Sequence, residues 1–460
     1  METLKKRKTN SIVLLTGLLV YFLGMLLFNG VGIYNDSEQY ITMHIHREPL
    51  YPLFLAFFRT FMGKGYLTVA AVVQSAATAY GIYLLSEYLT GHFALKIWQE
   101  YVLVGIQLLP HLMTRYISAL HIFLENSVMS EALCIPLFQF YLYFVLRMLF
   151  DGRKRDLWLS LLFAYLLSLT RGQMMVTILM WMLIVMVRQI VEKRYRKLLL
   201  PVLVVLLTFG LRSLTTHVYN YAVTGYFMGN TYGKVNTLTN VIYACDKEDG
   251  EVFPEGSLER QFFEQFYEQA DAMKANYRYG GDTFRERAEH LEECHDALKF
   301  QVLEANLSAY YFGLGEVDYY EQSSMSDEMA GIMLQKLLPV CLGQWLYDYV
   351  LLCTYGFIRS IAVVHPAVNP VAWLLYVLAV ILVVRELRLH RNTDRMAFMG
   401  VALLFIVGNV CAASLTIMCL SRYMIYGFAP FYMALFLLLI QWIEDRKENK
   451  RINRKSEGKV

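Results

Sequence analysis

Apolar stretches of membrane-spanning length recur along the chain, joined by short basic connections. The runs near 12–30, 66–89, 99–118, 131–150, 157–171, 173–189, 198–218, 366–385, 396–417 and 422–443 lack charge or nearly so. About 20 such residues cross the hydrocarbon core of a bilayer. The runs are continuous rather than alternating, which excludes a porin-type barrel. The pattern predicts an all-α, polytopic membrane protein of about 10 transmembrane helices, or about 11 if the run 338–364 also crosses. That run is apolar but carries Asp348 and Arg359. The 157–189 region reads as a hairpin of two short spans turning at Thr170, Arg171 and Gly172. The first run follows Lys5, Lys6, Arg7 and Lys8. It reads as a retained span, because it is too long for a signal peptide and no small-residue cleavage site follows.

Composition agrees. The chain has 460 residues, 57% hydrophobic and only 18% charged, with a mean hydropathy of +0.38. A soluble chain is nearer a quarter charged. A soluble enzyme, a disordered chain and a nucleic-acid binder are excluded on this ground. Sidedness follows from the basic residues. The segments Lys5–Lys8, Arg147–Arg155, Arg188–Lys197, Arg385–Arg395 and Arg446–Lys459 all fall on one side if ten spans cross and 338–364 does not. Residues 338–364 are therefore expected to lie at the outer interface or to re-enter there. Both termini are expected to be cytoplasmic, in a plasma membrane. Four regions result: an N-terminal transmembrane module 1–218 with a first external loop 31–65, an external block with its interface helix 219–364, C-terminal helices 365–445, and a basic tail 446–460. Residues 219–344 hold 21 acidic against 9 basic side chains, a net of −12, so the rest of the chain carries +15. Within the block, Leu258–Ala275 and Thr283–Leu303 have the apolar spacing of amphipathic helices.

Charge at membrane depth is costly and marks functional candidates. Asp36 and Glu38 follow the first span on its outer side, Glu131 opens the fourth span, Arg171 lies at the fifth-to-sixth turn, and Arg422 begins the last span. All of them lie on the expected outer face. Each also has a plainer reading. Asp36 alone is a solvated loop charge. Glu131 is a helix N-terminal carboxylate, with Ser130 as cap. The arginines are interface anchors. Glu87, Arg147 and Arg188 sit at the opposite ends, where snorkelling explains them. His44 and His46 share one face only if the loop is extended, and loop histidines without a metal are the ordinary case. A divalent cation beside Asp36 stays open, and no other cofactor is called for. Asp246, Glu248 and Asp249 form either a cation cluster or a solvated turn ending at Gly250. No C-x-x-C pair occurs among the seven cysteines. A Cys245–Cys294 disulfide stays open for an external segment.

The order of these features resembles the GT-C class of integral-membrane glycosyltransferases, and is similar to its protein O-mannosyltransferase and lipid A aminoarabinose transferase group. The likeness rests on five motifs. Asn35-Asp36-Ser37-Glu38-Gln39-Tyr40 is followed by Arg47-Glu48-Pro49-Leu50-Tyr51-Pro52. Ser130-Glu131 precedes an apolar span, and Leu169-Thr170-Arg171-Gly172 stands at an outer turn. Asn220-Tyr221 with Thr224-Gly225, and Ser421-Arg422-Tyr423 with Pro430, complete the set. The likeness covers most of residues 1–230 and the final 40, whereas 231–364 matches no pattern of the class. The chain departs from it in having Arg-Gly where Arg-Pro is usual. It also has Ser37 where many relatives carry a second acid, with Glu38 one position on.

The resemblance implies transfer of a sugar from a polyprenyl-phosphate donor to an acceptor hydroxyl on an envelope glycan, lipid or protein, with inversion. It implies Asp36 as base and Glu131 as its companion, with Arg171, Arg422 and Arg47 on the donor phosphate. Glu38, Tyr40, Tyr51 and Tyr423 are expected to line the acceptor or the site. The rival readings are a polysaccharide polymerase or ligase of another fold, a lipid-linked saccharide transporter, and a non-catalytic scaffold. Transporters commonly show repeated halves with broken helices at mid-membrane, and the sequence shows neither.

Overall fold

The computed structural model describes residues 2–116, 124–389 and 393–457. The expected contributions of residues 117–118, 390–392 and Lys459, and of the Lys5–Lys8 side chains, lie outside the described residues. Among the described residues every regular element is helical, and one isolated bridge joins Gly32 to Ser127.

The chain enters through α1 (Glu2–Asn29) and crosses a loop containing α2 (Ser37–Ile41) and α3 (Leu50–Met62). It then folds back and forth as α4 (Tyr66–His92), α5 (Ile97–Tyr116), α6 (Ser130–Phe150), α7 (Lys154–Ser168), α8 (Val176–Val191) and α9 (Leu199–Thr224). An inserted block follows, with α10 (Gly233–Ala244), α11 (Leu258–Ala272), α12 (Phe284–Ala297), α13 (Ala305–Gly313), α14 (Tyr319–Val340) and α15 (Leu342–Ile361). The bundle is completed by α16 (Asn369–Arg388), α17 (Asp394–Thr416), the one-turn α18 (Ser421–Met424) and α19 (Phe428–Glu457).

Eight described segments are long and apolar enough to cross a membrane: α1, α3–α4, α6, α8, α9, α16, α17 and α19. The sequence count of ten included two more. One is α7, which has 15 residues. The other is α5, which buries Gln99, Glu100, Gln107, His111 and Thr114 on one face. These two pack as hairpin partners of α6 and α4, so burial against protein rather than apolar length holds them in the bundle. Helices α14 and α15 meet at Cys341 with a bend of 100°. The 338–364 run is therefore no straight eleventh span. Helix α15 packs on α17 and on α10 and α12 of the inserted block.

The inserted block has its own core. In α11 the buried residues Phe262, Phe263, Phe266, Tyr267 and Ala270 follow helical spacing, as the amphipathic pattern requires. A capping box between Thr283 and Glu286 starts α12. The helix continues as a π-helical turn over Leu298–Glu304 and then as α13. Arg359 of α15 pairs with Glu292 of α12, tying α12 to the helix that packs on α17. Asp246 and Asp249 cap the turn Lys247–Val252, and Asp246 also takes the Tyr277 hydroxyl at 3.0 Å. The acidic cluster is thus a capped turn. Cys245 and Cys294 are both free thiols, and Cys245 lies against Cys341 instead.

Candidate functional site

Helix-end residues 36–51, 130–131, 171 and 421–423 converge at one end of the bundle, beneath α12 and its π-helical extension. Asp36 precedes α2, where a short helical turn points its carboxylate back at the loop that follows. Its Oδ1 takes Arg47 Nη2 at 2.8 Å, and its Oδ2 takes Arg422 Nη1 at 3.1 Å. Burial alone would raise the Asp36 pKa. The Arg47 and Arg422 guanidiniums outweigh it and hold the carboxyl below its ordinary value.

Arg47 is itself held in place. Its Nε donates to Gln39 Oε1 at 2.8 Å, and its guanidinium covers the Tyr40 ring at 4.8 Å. The Tyr40 hydroxyl meets Ser130 Oγ at 2.9 Å. Ser130 does not cap α6. The cap position is Met129, without a side-chain bond. Its hydroxyl instead accepts from Arg171 Nη1 at 3.2 Å and links onward to Glu131. Arg171 Nη1 lies 2.6 Å from Glu131 Oε1, with the carboxylate side chain 1% exposed and the guanidinium 12%. The extended backbone of Arg171 in the α7–α8 turn aims the side chain inward. Arg171 and Arg422 both stack on Tyr423, each 4.9 Å from the ring centroid. Arg422 Nη2 also donates to the Tyr423 hydroxyl at 2.8 Å. Tyr51 packs edge-on beneath Tyr40 at 5.1 Å.

Asp36, Tyr40, Arg47, Glu131, Arg171, Arg422 and Tyr423 thus form one network, with Tyr51 beneath it. Glu38 stands apart. It is exposed on α2, and only its backbone carbonyl is engaged, by Thr42. The opposite end of the bundle carries the pairs Arg147–Asp156 at 3.0 Å, Arg188–Glu192 at 2.9 Å and Arg385–Asp445 at 2.7 Å. Arg147 and Arg188 keep their plain reading as end charges.

Several partners were not singled out in the sequence. Glu48 pairs with Arg212 of α9, joining the first loop to a helix 164 residues further along the chain. The inserted block contributes Lys299, only 4% exposed, from the π-helical turn. Its Nζ lies 3.7 Å from the Tyr232 ring centroid, and the charges of Asp36 and Arg47 act on it. Burial pushes Lys299 down to about 8. A lysine on the apolar stripe of an amphipathic helix was the available signal. Tyr232 stacks on His46 at 4.3 Å and holds a φ of +107°, with Asp327 accepting from the backbone N–H groups of Tyr232 and Lys234. Such strain persists only where the surroundings over-determine it, and it is commonest at functional sites.

The residues do not fit a divalent cation. Both Asp36 oxygens are occupied by guanidiniums. His46 Nε2 meets Ser323 Oγ at 3.2 Å, and the charges of Arg47 and Lys299 beside the ring oppose a further cation. Among the described residues no three His, Cys, Asp or Glu side chains are grouped to hold a metal ion. Chemically, the arrangement offers two carboxylates and three arginines in a mostly buried cluster, suited to a proton acceptor beside an anion. No protein-family model, curated protein or solved structure matches this chain, so the meaning of the cluster rests on its own residues.

Proposed function

We propose that the chain is a membrane glycosyltransferase of the GT-C type, moving a sugar from a polyprenyl-phosphate donor to an acceptor hydroxyl on the outer face of the membrane. One observation carries this reading: a base-capable carboxylate, Asp36, shares its immediate surroundings with three arginines and a second carboxylate at a single end of the helical bundle. An acceptor hydroxyl attacks the anomeric carbon from the face opposite the leaving group. Its proton passes to Asp36, the bond from carbon to phosphate oxygen breaks, and the electron pair leaves on the phosphate. A positioned carboxylate helps because a hydroxyl is a poor nucleophile at neutral pH. The transition state has oxocarbenium character, which nearby carboxylates favour. Arginine forks match the phosphate oxygens on which charge grows. Glu131 holds Arg171 in place for that task. The inserted block covers the site, with Lys299 adding a positive charge near Asp36 and Arg47.

The test is a transfer assay in nanodiscs with polyprenyl-phosphate sugars and a crude envelope acceptor fraction. Release of polyprenyl phosphate by wild type and not by Asp36→Asn is the expected result. No release from any donor by folded protein would refute the reading and favour a polymerase or a transporter.

A further inference from the structure

Resting on that reading, we propose that the donor phosphate switches on its own base: it takes the arginines from Asp36, and the carboxylate is held inactive until the donor is seated. In the structure each Asp36 oxygen carries one guanidinium, from Arg47 at 2.8 Å and from Arg422 at 3.1 Å. A carboxylate neutralised in this way has little affinity for a proton, and general-base efficiency falls with basicity.

A second observation lies in the arginines themselves. The Nε atoms of Arg171 and Arg422 are both buried and have no hydrogen-bond partner. Buried donors, above all charged ones, are rarely left unpaired. The two arginines flank one ring, Tyr423, at equal distances, and their charges repel each other. Arg171 already has Glu131 as its partner. Among the described residues Arg422 has one ion pair, with Asp36, at the longer of the two Asp36 contacts, besides its bond to the Tyr423 hydroxyl. A phosphate beside Tyr423 supplies acceptors for both orphaned N–H groups and relieves the repulsion between them. It competes with Asp36 for Arg422 in doing so. Losing that guanidinium raises the proton affinity of Asp36, at the moment when an anomeric carbon is within reach. Before the donor arrives, the same pairing keeps the base from activating water. The exchange thus couples donor occupancy to base strength without any group changing its covalent state.

The consequence runs against ordinary expectation for a binding site. Removing a site residue should tighten the product complex. The experiment measures binding of polyprenyl phosphate to protein in nanodiscs, for wild type, Asp36→Asn and Asp36→Ser, with the uncharged polyprenol as control. Both variants are expected to bind polyprenyl phosphate about tenfold more tightly than wild type, one competing charge-assisted contact having been removed. Polyprenol binding is expected to be unchanged. Equal or weaker binding of polyprenyl phosphate by both folded variants overturns the exchange. Failure of wild type and both variants alike to bind polyprenyl phosphate overturns the functional reading itself, and the exchange with it.

Discussion

The Glu131–Arg171 pair allows a quantitative test of how the site is built. Glu131 is 1% exposed and its partner nitrogen lies 2.6 Å away. Around them are the uncharged Tyr40, Ser130, Cys134 and Tyr426, and the next cation, Arg422, acts on Glu131 without a hydrogen bond to it. Replacing Arg171 by Met keeps much of the side chain's volume but strands the carboxylate. Breaking a buried pair from one side costs about 3–5 kcal/mol, because an uncompensated charge stays inside. Replacing both partners, as Glu131→Gln with Arg171→Met, removes the stranded charge. The double variant is expected to lose about 1–2 kcal/mol, roughly 2–3 kcal/mol less than Arg171→Met alone. Unfolding in mixed micelles, titrated with a denaturing detergent, measures wild type and both variants on one scale. The single variant should shift the folded-to-unfolded ratio by two to three decades. A single variant no less stable than the double would show that the carboxylate is not held by Arg171, and would remove the pair as the organiser of this end of the bundle.

Asp36→Asn is expected to lower transfer by about 10²- to 10⁴-fold at normal expression, the range for loss of a general base; turnover within threefold of wild type would exclude that role. Lys299 carries its charge below about pH 8 and loses it above. Polyprenyl-phosphate binding is therefore expected to weaken as pH rises from 7 to 9 in wild type, to stay flat in Lys299→Met, and to persist at pH 9 in Lys299→Arg. A wild-type curve identical to that of Lys299→Met would place the lysine outside the anion's reach. A Cβ on Gly356 would meet Val410 Cγ1 at 2.8 Å and Cys419 Sγ at 2.9 Å. Gly356→Val should accordingly cost about 1–3 kcal/mol by overpacking α15 against α17, read as a lowered thermal midpoint. Glu292→Gln weakens the tie between α12 and Arg359, and hydrogen exchange should rise in α12 while α17 stays protected.

The helical bundle was legible because hydrophobic runs of spanning length obey a length rule that the bilayer imposes. Where another force does the work, the rule overcounts. α5 and α7 are held by neighbouring helices, and their buried polar faces satisfy no criterion of apolar length. Seven of the nine candidate site residues meet in one network because costly charges at helix ends on one side have few places to go. Glu38 misled because acidity in a loop says nothing about which way a short helix turns. Sequence offers Ser130 as a helix cap, but Met129 takes the cap position, and the Ser130 hydroxyl serves Tyr40 and Arg171 instead. Lys299 and Arg212 were overlooked for a common reason. Their partners lie far away in sequence, and only the packing of the inserted block and of α9 reveals them.

The Asp36–Arg422 contact joins residues 386 positions apart. A chain that emerges from its N-terminus makes the Asp36–Arg47 pair early and waits for the final helical hairpin before Arg422 arrives. During that interval Asp36 is balanced by a single cation, and the acidic block must fold over an unfinished floor. Assembly of the centre is thus a late event in biogenesis. Any chain released before residue 422 lacks both Arg422 and Tyr423, so the centre cannot close until the last helix is made.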